Sequence, residues 1–290
     1  MKSLIKRLLK IPLALVFSYI RVLKHFSFRS HYYLIDTLTN YTKEKKFLIQ
    51  HKGKNFYIFT PNQLCEFRAS TFFSKEPETI NWIEKYGKDM VLYDIGANIG
   101  LYSIYHSLIN RSKSYAFEPS VFNLMQITKN ININGCNQLI SLISNPLSNL
   151  NSLEEFNYTS NIEGGALSSF GVNFNYEGKL IDKKLSIKKL GFSLDELVFG
   201  GYIKDKPNLI KIDVDGIEHL ILQGARRTLE NKNCTSVLVE INDTFKEQHD
   251  LSTNILKECG FELEEKERSI YAKENKGFED TYNQIWHKNY

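Results

Sequence analysis

The stretch that most constrains the fold runs from Val91 to Gly100 and reads Val-Leu-Tyr-Asp-Ile-Gly-Ala-Asn-Ile-Gly. Its apolar first half is typical of a buried β-strand, and a helical pattern follows at once. Gly96 and Gly100 let the backbone turn sharply and let a ligand approach where a Cβ would block it. A strand, a glycine turn and a helix in this order form the local architecture of a nucleotide-cofactor site.

The spacing of these glycines separates one cofactor class from another. A dinucleotide fold favours G-x-G-x-x-G, and a phosphate-binding P-loop needs Lys and Ser or Thr after its glycines; neither pattern is present. Asp94 lies two residues ahead of Gly96 and would repel a pyrophosphate. A cofactor with cationic and hydroxyl groups is favoured instead, which points to S-adenosylmethionine (SAM). A nicotinamide dehydrogenase is disfavoured.

From residue 89 to 275 the chain alternates strand and helix patterns. Strands are predicted at 91–95, 114–117, 139–143, 209–214 and 236–241, and helices at 121–134, 216–230 and 244–258. Repeated βα units with right-handed crossovers indicate an α/β fold with a doubly wound, mostly parallel sheet. Segments 261–264 and 269–272 are predicted as closing strands, and residues 276–290 as a C-terminal tail.

Three segments interrupt or flank this pattern. Residues 36–88 are expected to cover the domain, with a hairpin over 47–60 that turns at Gly53 and a helix over 76–86. Residues 152–190 are rich in Gly, Ser, Asn and Tyr, and we expect an insertion of irregular strands on the substrate side. Ser193 and Glu196 match a helix capping box.

The N-terminal arm, residues 1–35, carries seven Lys or Arg and no acid, although the whole chain has a formal charge of only +4. The rest of the chain is therefore mildly acidic, which argues against a nucleic-acid partner. The run from Ile11 to Ile20 is half the length of roughly 20 residues that a membrane-spanning helix needs. Residues 1–28 are expected either to lie on the cytoplasmic face of a membrane as a basic helix or to pack on the domain, and an uncleaved membrane anchor is the third alternative. The cysteines lie far apart and are expected to be reduced thiols in a cytoplasmic protein.

Polar residues at the carboxyl ends of the predicted strands should lie together, because ligands bind there in a doubly wound sheet. Glu118 follows Gly100 by 18 residues, a distance at which an acid can accept hydrogen bonds from both ribose hydroxyls. The alternation of Lys211, Asp213 and Asp215 puts three charges on one face of a strand, and a buried Lys–Asp pair is expected there.

Several of these motifs occur together and in one order, and with them the chain resembles the FkbM-type SAM-dependent methyltransferases. The motifs that carry the resemblance are Asp94 to Ser103, Glu118-Pro119, Ser193 to Leu197, Lys211 to Glu218, Gly224-Ala225 and Val239-Glu240. The resemblance implies a class I methyltransferase fold, which is Rossmann-like, and methyl transfer to oxygen, often on a sugar or polyketide. Asp215 departs from the more usual Glu, and Asn145-Pro146 from a pattern more like Ala-Leu-Ser.

The expected site follows from the motifs and the resemblance. The cofactor-binding residues are predicted to be Asp94, Gly96, Ala97, Asn98, Gly100, Glu118, Ser144, Asn145 and Asp213. The catalytic candidates for removing the hydroxyl proton are Asp213 first, then Asp215 and Glu218, with His219 the weakest. A divalent cation on Asp213, Glu240 and Asn242 is a minority hypothesis, and no metal is expected.

The leading hypothesis is an O-methyltransferase acting on a saccharide of a surface glycan or of a lipid-linked intermediate. Methylation of a small natural product, which needs no basic arm, is the alternative enzyme. A membrane-tethered SAM-binding protein without transferase activity is the alternative from another class.

Overall fold

The computed structural model describes residues 2–269 and 279–288. Within these residues the strands are β1 (Lys46–His51), β2 (Lys54–Phe59), β3 (Leu92–Ile95), β4 (Ser114–Phe117), β5 (Ile140–Ile143), β6 (Ser152–Tyr158), β7 (Ser169–Phe170), β8 (Leu185–Gly191), β9 (Leu209–Ile212), β10 (Ser236–Asn242), β11 (Glu262–Glu267) and β12 (Thr281–His287). The helices are α1 (Lys2–Phe26), α2 (Phe28–Lys43), α3 (Gln63–Ser70), α4 (Phe72–Lys75), α5 (Pro77–Tyr86), α6 (Leu101–Asn110), α7 (Val121–Ile133), α8 (Leu194–Phe199), α9 (Glu218–Gln223), α10 (Arg226–Glu230) and α11 (Lys246–Glu258).

The central sheet has seven strands in the order β11-β12-β10-β9-β3-β4-β5. The five strands from β10 to β5 are parallel, and β12 is antiparallel to both of its neighbours. The chain enters at β3, proceeds outward through β4 and β5, and later fills the other side with β9 and β10. The strand order therefore reverses between β3 and β9, and the predicted doubly wound α/β fold is confirmed.

Both faces of this sheet are covered, as the alternation of side chains along each strand requires. On β3, Leu92 packs into the core cluster that contains Ile104 of α6. Tyr93 points to the opposite face and packs with Phe117 and Ile210. Because both faces are buried, the carboxyl edge of the sheet is where a ligand can reach the strand ends.

The hairpin expected over residues 47–60 is confirmed as β1 and β2. Lys52 and Gly53 form the two-residue turn, and both have positive φ, of 47° and 72°. This conformation matches the mirror-image turns that suit the twist of a hairpin, and glycine adopts it without steric cost. The hairpin and α3 to α5 lie before β3 in the chain and pack on the side of the sheet where Leu92 is buried.

The insertion also has regular structure. β6 pairs antiparallel with β7 and β8 to form a separate three-stranded sheet. The segment between Tyr158 and Ser169 has no regular strand, and it lies against the carboxyl edge of the central sheet through contacts described below.

At the C-terminus the structure differs from the expected tail over residues 276–290. β12 lies inside that segment and pairs along its full length with β10, and Trp286 is buried in the core. β12 pairs with a strand far away in the chain, and its own sequence shows only an alternation of side chains. The sequence therefore did not indicate this strand. Of the strand expected over 269–272, residues 270–272 lie outside the described residues.

At the other end, α1 and α2 form a helical hairpin, in which the His31 ring donates a hydrogen bond to the Ile20 carbonyl at 2.8 Å. The boundary expected at residue 35 falls inside α2. Every residue from Lys10 to Tyr19 is exposed, and α2 buries none of its residues. In the described part of the chain, no helix combines the length and the apolar character that crossing a membrane demands.

Candidate functional site

A cavity of about 440 Å³ opens at the carboxyl edge of the sheet, where the strand order reverses between β3 and β9. Its walls come from the loops after β3, β4, β5 and β9, from the insertion, and from α3 and α4. This position is the one at which doubly wound sheets bind their ligands.

The loop after β3 forms the floor of the cavity. Gly96 has φ of +86°, and a Cβ placed on it would lie 1.9 Å from the carbonyl oxygen of Asp213. The backbone N–H groups of Gly96 and Ala97 both donate to the Phe117 carbonyl at 3.0 Å. The loop is thereby tied to the ends of β4 and β9, and only glycine fits at its first position.

Asp94, at the start of this motif, turns away from the cavity. Its Oδ2 accepts hydrogen bonds from the backbone N–H of Ser103 at 3.1 Å and from the Ser103 hydroxyl at 2.7 Å. The side chain is fully buried, and burial raises its pKa. Asp94 thus supports the first turn of α6 beneath the glycine loop, and the structure places no part of it on the cavity wall.

Glu118 lines the cavity at the end of β4, as the sequence predicted. Its Oε2 accepts from the Asn98 N–H and its Oε1 from the Ser120 N–H, each at 2.7 Å. Burial raises the pKa of Glu118 to about 7 despite these two hydrogen bonds. Its carboxylate is therefore held rigidly, with lone pairs left over for further donors.

Three acids form one wall of the cavity: Asp213, Asp215 and Glu240. One carboxylate oxygen from each lies within 4.8 Å of the others. Lys211, which is 1% exposed, donates to Asp213 Oδ2 at 2.8 Å, so the expected buried Lys–Asp pair is present. Burial and the neighbouring charge of Asp213 raise the pKa of Glu240 well above its ordinary value.

Asp215 has an unusual backbone as well as an unusual environment. Its φ is +65°, a left-handed conformation that costs energy for a residue with a Cβ. Its Oδ2 accepts from the Leu167 N–H at 2.6 Å, which ties the insertion to the end of β9. Burial, and next to it the charge of Asp213, raise the pKa of Asp215 to about 6.

Helices α3 and α4 and the residue that follows them, which cover this side of the sheet, bring three charged residues that the sequence did not indicate: Arg68, Lys75 and Glu76. Glu76, between α4 and α5, accepts from the Tyr102 hydroxyl at 2.7 Å and forms an ion pair with Lys75. Burial alone would raise the pKa of Glu76, but the charges of Lys75 and Lys211 lower it to about 2. Lys75 and Glu76 precede Pro77 at a helix start, a pattern that in sequence indicates only a cap.

The structure thus brings together part of the predicted set. The predicted residues that line the cavity are Gly96, Ala97, Asn98, Glu118, Asn145, Asp213, Asp215 and Glu240. Those that do not line it are Asp94, Gly100, Ser144, Glu218 and Asn242.

The residues outside the cavity have structural partners or face solvent. Glu218 accepts from the backbone N–H groups of Val214 and Gly216 at 3.0 and 3.1 Å, so it closes the loop before α9. Gly100, with φ of +87°, packs against Ile127. Ser144 is exposed at the edge of the sheet. For Glu218 and Gly100 the reason is local backbone bonding or packing, which their motif positions alone did not reveal.

The three residues of the hypothetical cation site, Asp213, Glu240 and Asn242, do not come together as a set. The Oδ1 of Asn242 accepts from the N–H and the hydroxyl of Thr244 at 2.9 and 2.7 Å, so Asn242 is engaged in a turn. Asp215 takes its place beside Asp213 and Glu240. Oxygen ligands of this kind suit a hard divalent cation.

The chain is similar to a family of known proteins. The family model described as the methyltransferase FkbM domain matches residues 94–263. The hexuronic acid methyltransferase AglP of Haloferax volcanii is 29% identical over 161 residues, which cover 55% of this chain and 59% of that protein. The chain therefore matches less than two thirds of that relative's length.

Two solved structures also align with the chain. Methyltransferase FkbM from Methylobacillus flagellatus KT is 14% identical, with a TM-score of 0.43, and the alignment covers 69% of this chain and 43% of that one. TYW2 of M. jannaschii, solved in complex with AdoMet, is 12% identical with a TM-score of 0.43, covering 85% of this chain and 88% of that one.

Proposed function

The chain belongs to the FkbM methyltransferase family, and on that premise we propose that it transfers the methyl group of SAM to a hydroxyl oxygen of a saccharide. The observation that carries the proposal is the convergence of the glycine loop, Glu118 and the acidic wall on one cavity at the strand-order reversal. The glycine loop offers a backbone surface for a nucleoside, and Glu118 offers hydrogen-bond acceptors for its ribose. The carboxylates of the acidic wall are proton acceptors for a hydroxyl.

The residues of the floor fit SAM. Gly96 leaves open the space next to Asp213 that any side chain would fill. Glu118 already accepts two N–H donors, and its remaining lone pairs suit the ribose hydroxyls. When bound, SAM supplies a methyl group on a sulfonium, which is already activated for transfer. The chain then has to exclude water, align the hydroxyl and take its proton.

Asp215 is the better-placed base of the two neighbouring aspartates. Each aspartate has one oxygen already engaged, Asp213 Oδ2 by the buried Lys211 ammonium and Asp215 Oδ2 by the Leu167 N–H. The pKa of Asp215, raised to about 6 by burial, makes its carboxylate a stronger acceptor that is still ionised at neutral pH. As the acceptor's O–H bond breaks, its proton passes to Asp215. Losing its proton to Asp215 would leave the acceptor oxygen able to take the methyl group that SAM would supply, with the neutral thioether as the leaving group.

A saccharide acceptor is favoured by the relative named as a hexuronic acid methyltransferase. We propose that the protein needs no metal, because Lys211 and Lys75 already place positive charge against Asp213 and Glu76. Full activity after thorough chelation would agree with this, and loss of activity restored by a divalent cation would refute it.

The α1–α2 hairpin supports peripheral binding to a membrane. Its exposed apolar residues include Leu15, Phe17 and Phe26, which is 82% exposed, beside the exposed Arg21 and Lys24. An apolar surface of this kind next to positive charge suits an anionic lipid surface. We propose that it tethers the enzyme near a lipid-linked or surface glycan.

The experiment that tests the transferase is a methyl-transfer assay followed by mass spectrometry of surface glycans from cells with and without the gene. We expect a methyl ether to disappear from one saccharide when the gene is deleted, and to return with the unsubstituted protein. The exposed Asp250→Asn variant should restore it fully, whereas Asp215→Asn should not. Tight binding of SAM with no methyl transfer to any glycan or small hydroxyl compound would favour a non-catalytic binding protein.

A further inference from the structure

The cations of the cavity differ in how they are neutralised. Lys211 forms an ion pair with Asp213, and Lys75 with Glu76. Arg68 of α3 also lines the cavity, and its Nε donates to the Gly164 carbonyl at 2.7 Å. Across the residues that the structure describes, neither Nη group of Arg68 has a hydrogen-bond or ion-pair partner.

Arg68 is held firmly at this position. The Gly164 carbonyl fixes its Nε, while the Gly164 N–H donates to Asn123 Oδ1 at 2.9 Å and so fixes Gly164 itself. On the helix side, Cys65 and Ala69 of α3 are buried. The helix that carries Arg68 and the Nε of its guanidinium are therefore both held in place.

The positive charge of Arg68 interacts with two acids of the cavity, Glu118 and Asp215. Burial raises the pKa of Glu118 and of Asp215, and in each case the positive charge of Arg68 acts against that shift. Arg68 thus lies near the acid suited to the ribose and near the acid suited to the acceptor hydroxyl. Glu118 accepts backbone N–H groups with both of its carboxylate oxygens, and Asp215 does so with Oδ2.

A half-buried guanidinium with two free Nη groups presents a planar pair of donors, which matches the two oxygens of a carboxylate. We propose that Arg68 binds a carboxylate inside the cavity. The inference rests on the proposed function, which brings two sources of this group: the amino-acid end of the cofactor and an acidic sugar as acceptor.

Calorimetry with S-adenosylhomocysteine (AdoHcy) and 5′-methylthioadenosine tests the first source. The second compound keeps the nucleoside and the thioether but lacks the amino-acid carboxylate. If the cofactor supplies the carboxylate, Arg68→Gln should weaken AdoHcy binding roughly tenfold or more and leave 5′-methylthioadenosine binding unchanged. Arg68→Lys should recover part of the loss, and Arg226→Gln, on the exposed Arg226 far along the chain, should change neither.

Saturation-transfer NMR with free glucuronate and glucose, in the presence of AdoHcy, tests the second source. If the acceptor supplies the carboxylate, Arg68→Gln should leave AdoHcy affinity unchanged, abolish the glucuronate signal and spare any glucose signal. Unchanged binding of both AdoHcy and glucuronate in Arg68→Gln would overturn the carboxylate site. Equal weakening of AdoHcy and 5′-methylthioadenosine would overturn it too, because the residue would then act on the nucleoside pocket.

Failure of the proposed function has a different signature. It would appear in the unsubstituted protein, as an absence of binding to both AdoHcy and 5′-methylthioadenosine. The glucuronate measurement without AdoHcy would then decide the carboxylate site by itself: a signal lost in Arg68→Gln supports the site, and a signal that is absent or unchanged overturns it.

Discussion

Gly96 lies between the cavity and the end of β9, where there is no room for a side chain. A Cβ there would lie within 2 Å of the Asp213 carbonyl oxygen, because the end of β9 passes directly behind the loop. The same residue has positive φ, which L side chains adopt at a cost. Two independent constraints therefore require glycine.

Gly96→Ala is expected to abolish AdoHcy binding and to destabilise the protein. The left-handed backbone alone should cost roughly 1–2 kcal/mol, and displacement of the Asp213 carbonyl should deform the loop in addition. Gly53→Ala is the matched control, since Gly53 also has positive φ but has open space around its Cβ. Calorimetry and thermal melts measure both effects; AdoHcy affinity that is equal in the two variants would refute the role of the loop.

Asp215 is expected to set the acidic limb of the pH–rate profile. Its carboxylate must be ionised to accept a proton, and burial with the charge of Asp213 raises its pKa to about 6. Activity should therefore fall as the pH drops through about 6 and level off above it. Asp215→Asn should lower kcat by about 10²–10⁴-fold and remove this limb. A variant with the native profile would exclude Asp215 as the base.

Three groups of structural elements supply the residues of the site. The βα loops of the sheet supply the glycine turn and most of the acids. α3 and α4 add Arg68 and Lys75 from the cover, and the insertion binds to the sheet through Leu167 and Asp215. The cavity is therefore complete only when all three units are assembled around it.

The α1–α2 hairpin is expected to bind anionic vesicles independently of the site. Removing residues 1–28 should release the protein into the supernatant in co-sedimentation assays while methyl transfer to a soluble acceptor continues. Phe17→Glu should weaken vesicle binding, because Phe17 is exposed within the apolar run. Leu180→Glu is the control, as Leu180 is an exposed apolar residue outside the arm. A truncated protein that still pellets with vesicles would show that another surface binds lipid.

For the molecule as a whole, a buried histidine makes the stability of the fold depend on pH. His106 of α6 is fully buried, and its ring nitrogens lie 2.9 Å from the Ser114 hydroxyl and 3.2 Å from the Gly87 carbonyl. A neutral imidazole satisfies both partners, by donating to the carbonyl and accepting from the hydroxyl. Burial lowers the pKa of His106 to about 4.

This shift predicts a loss of stability in mild acid. The unfolded chain takes up a proton at His106 near pH 6.5, but the folded protein does so only near pH 4, so the free energy of unfolding decreases as the pH falls between these values. His106→Gln retains a donor and an acceptor and should reduce the decrease by about 3 kcal/mol. Urea titrations from pH 7 to pH 4 measure it, with the exposed His25→Gln as control. Parallel curves for the native protein and His106→Gln would contradict the assignment.

The patterns that predicted structure correctly were local ones. The glycine turn after β3, the Gly53 hairpin and the Ser193 cap, whose hydroxyl accepts from the Glu196 N–H at 3.2 Å, depend on residues within a few positions of each other. The backbone conformation of a short segment limits which residues fit it, so such segments can be read from sequence.

Strand periodicity and turn chemistry involve residues close together in the chain. They were therefore sufficient to predict the doubly wound sheet, the glycine loop, and the places of Glu118 and of the Lys211–Asp213 pair at strand ends. The direction in which each polar side chain points depends on how the whole fold packs. Asp94 and Glu218 turn to backbone N–H groups of nearby helices and loops, while Arg68 and Glu76 enter the cavity from the cover. Residues that meet through space have no fixed spacing along the chain, so no sequence pattern indicates that they are partners.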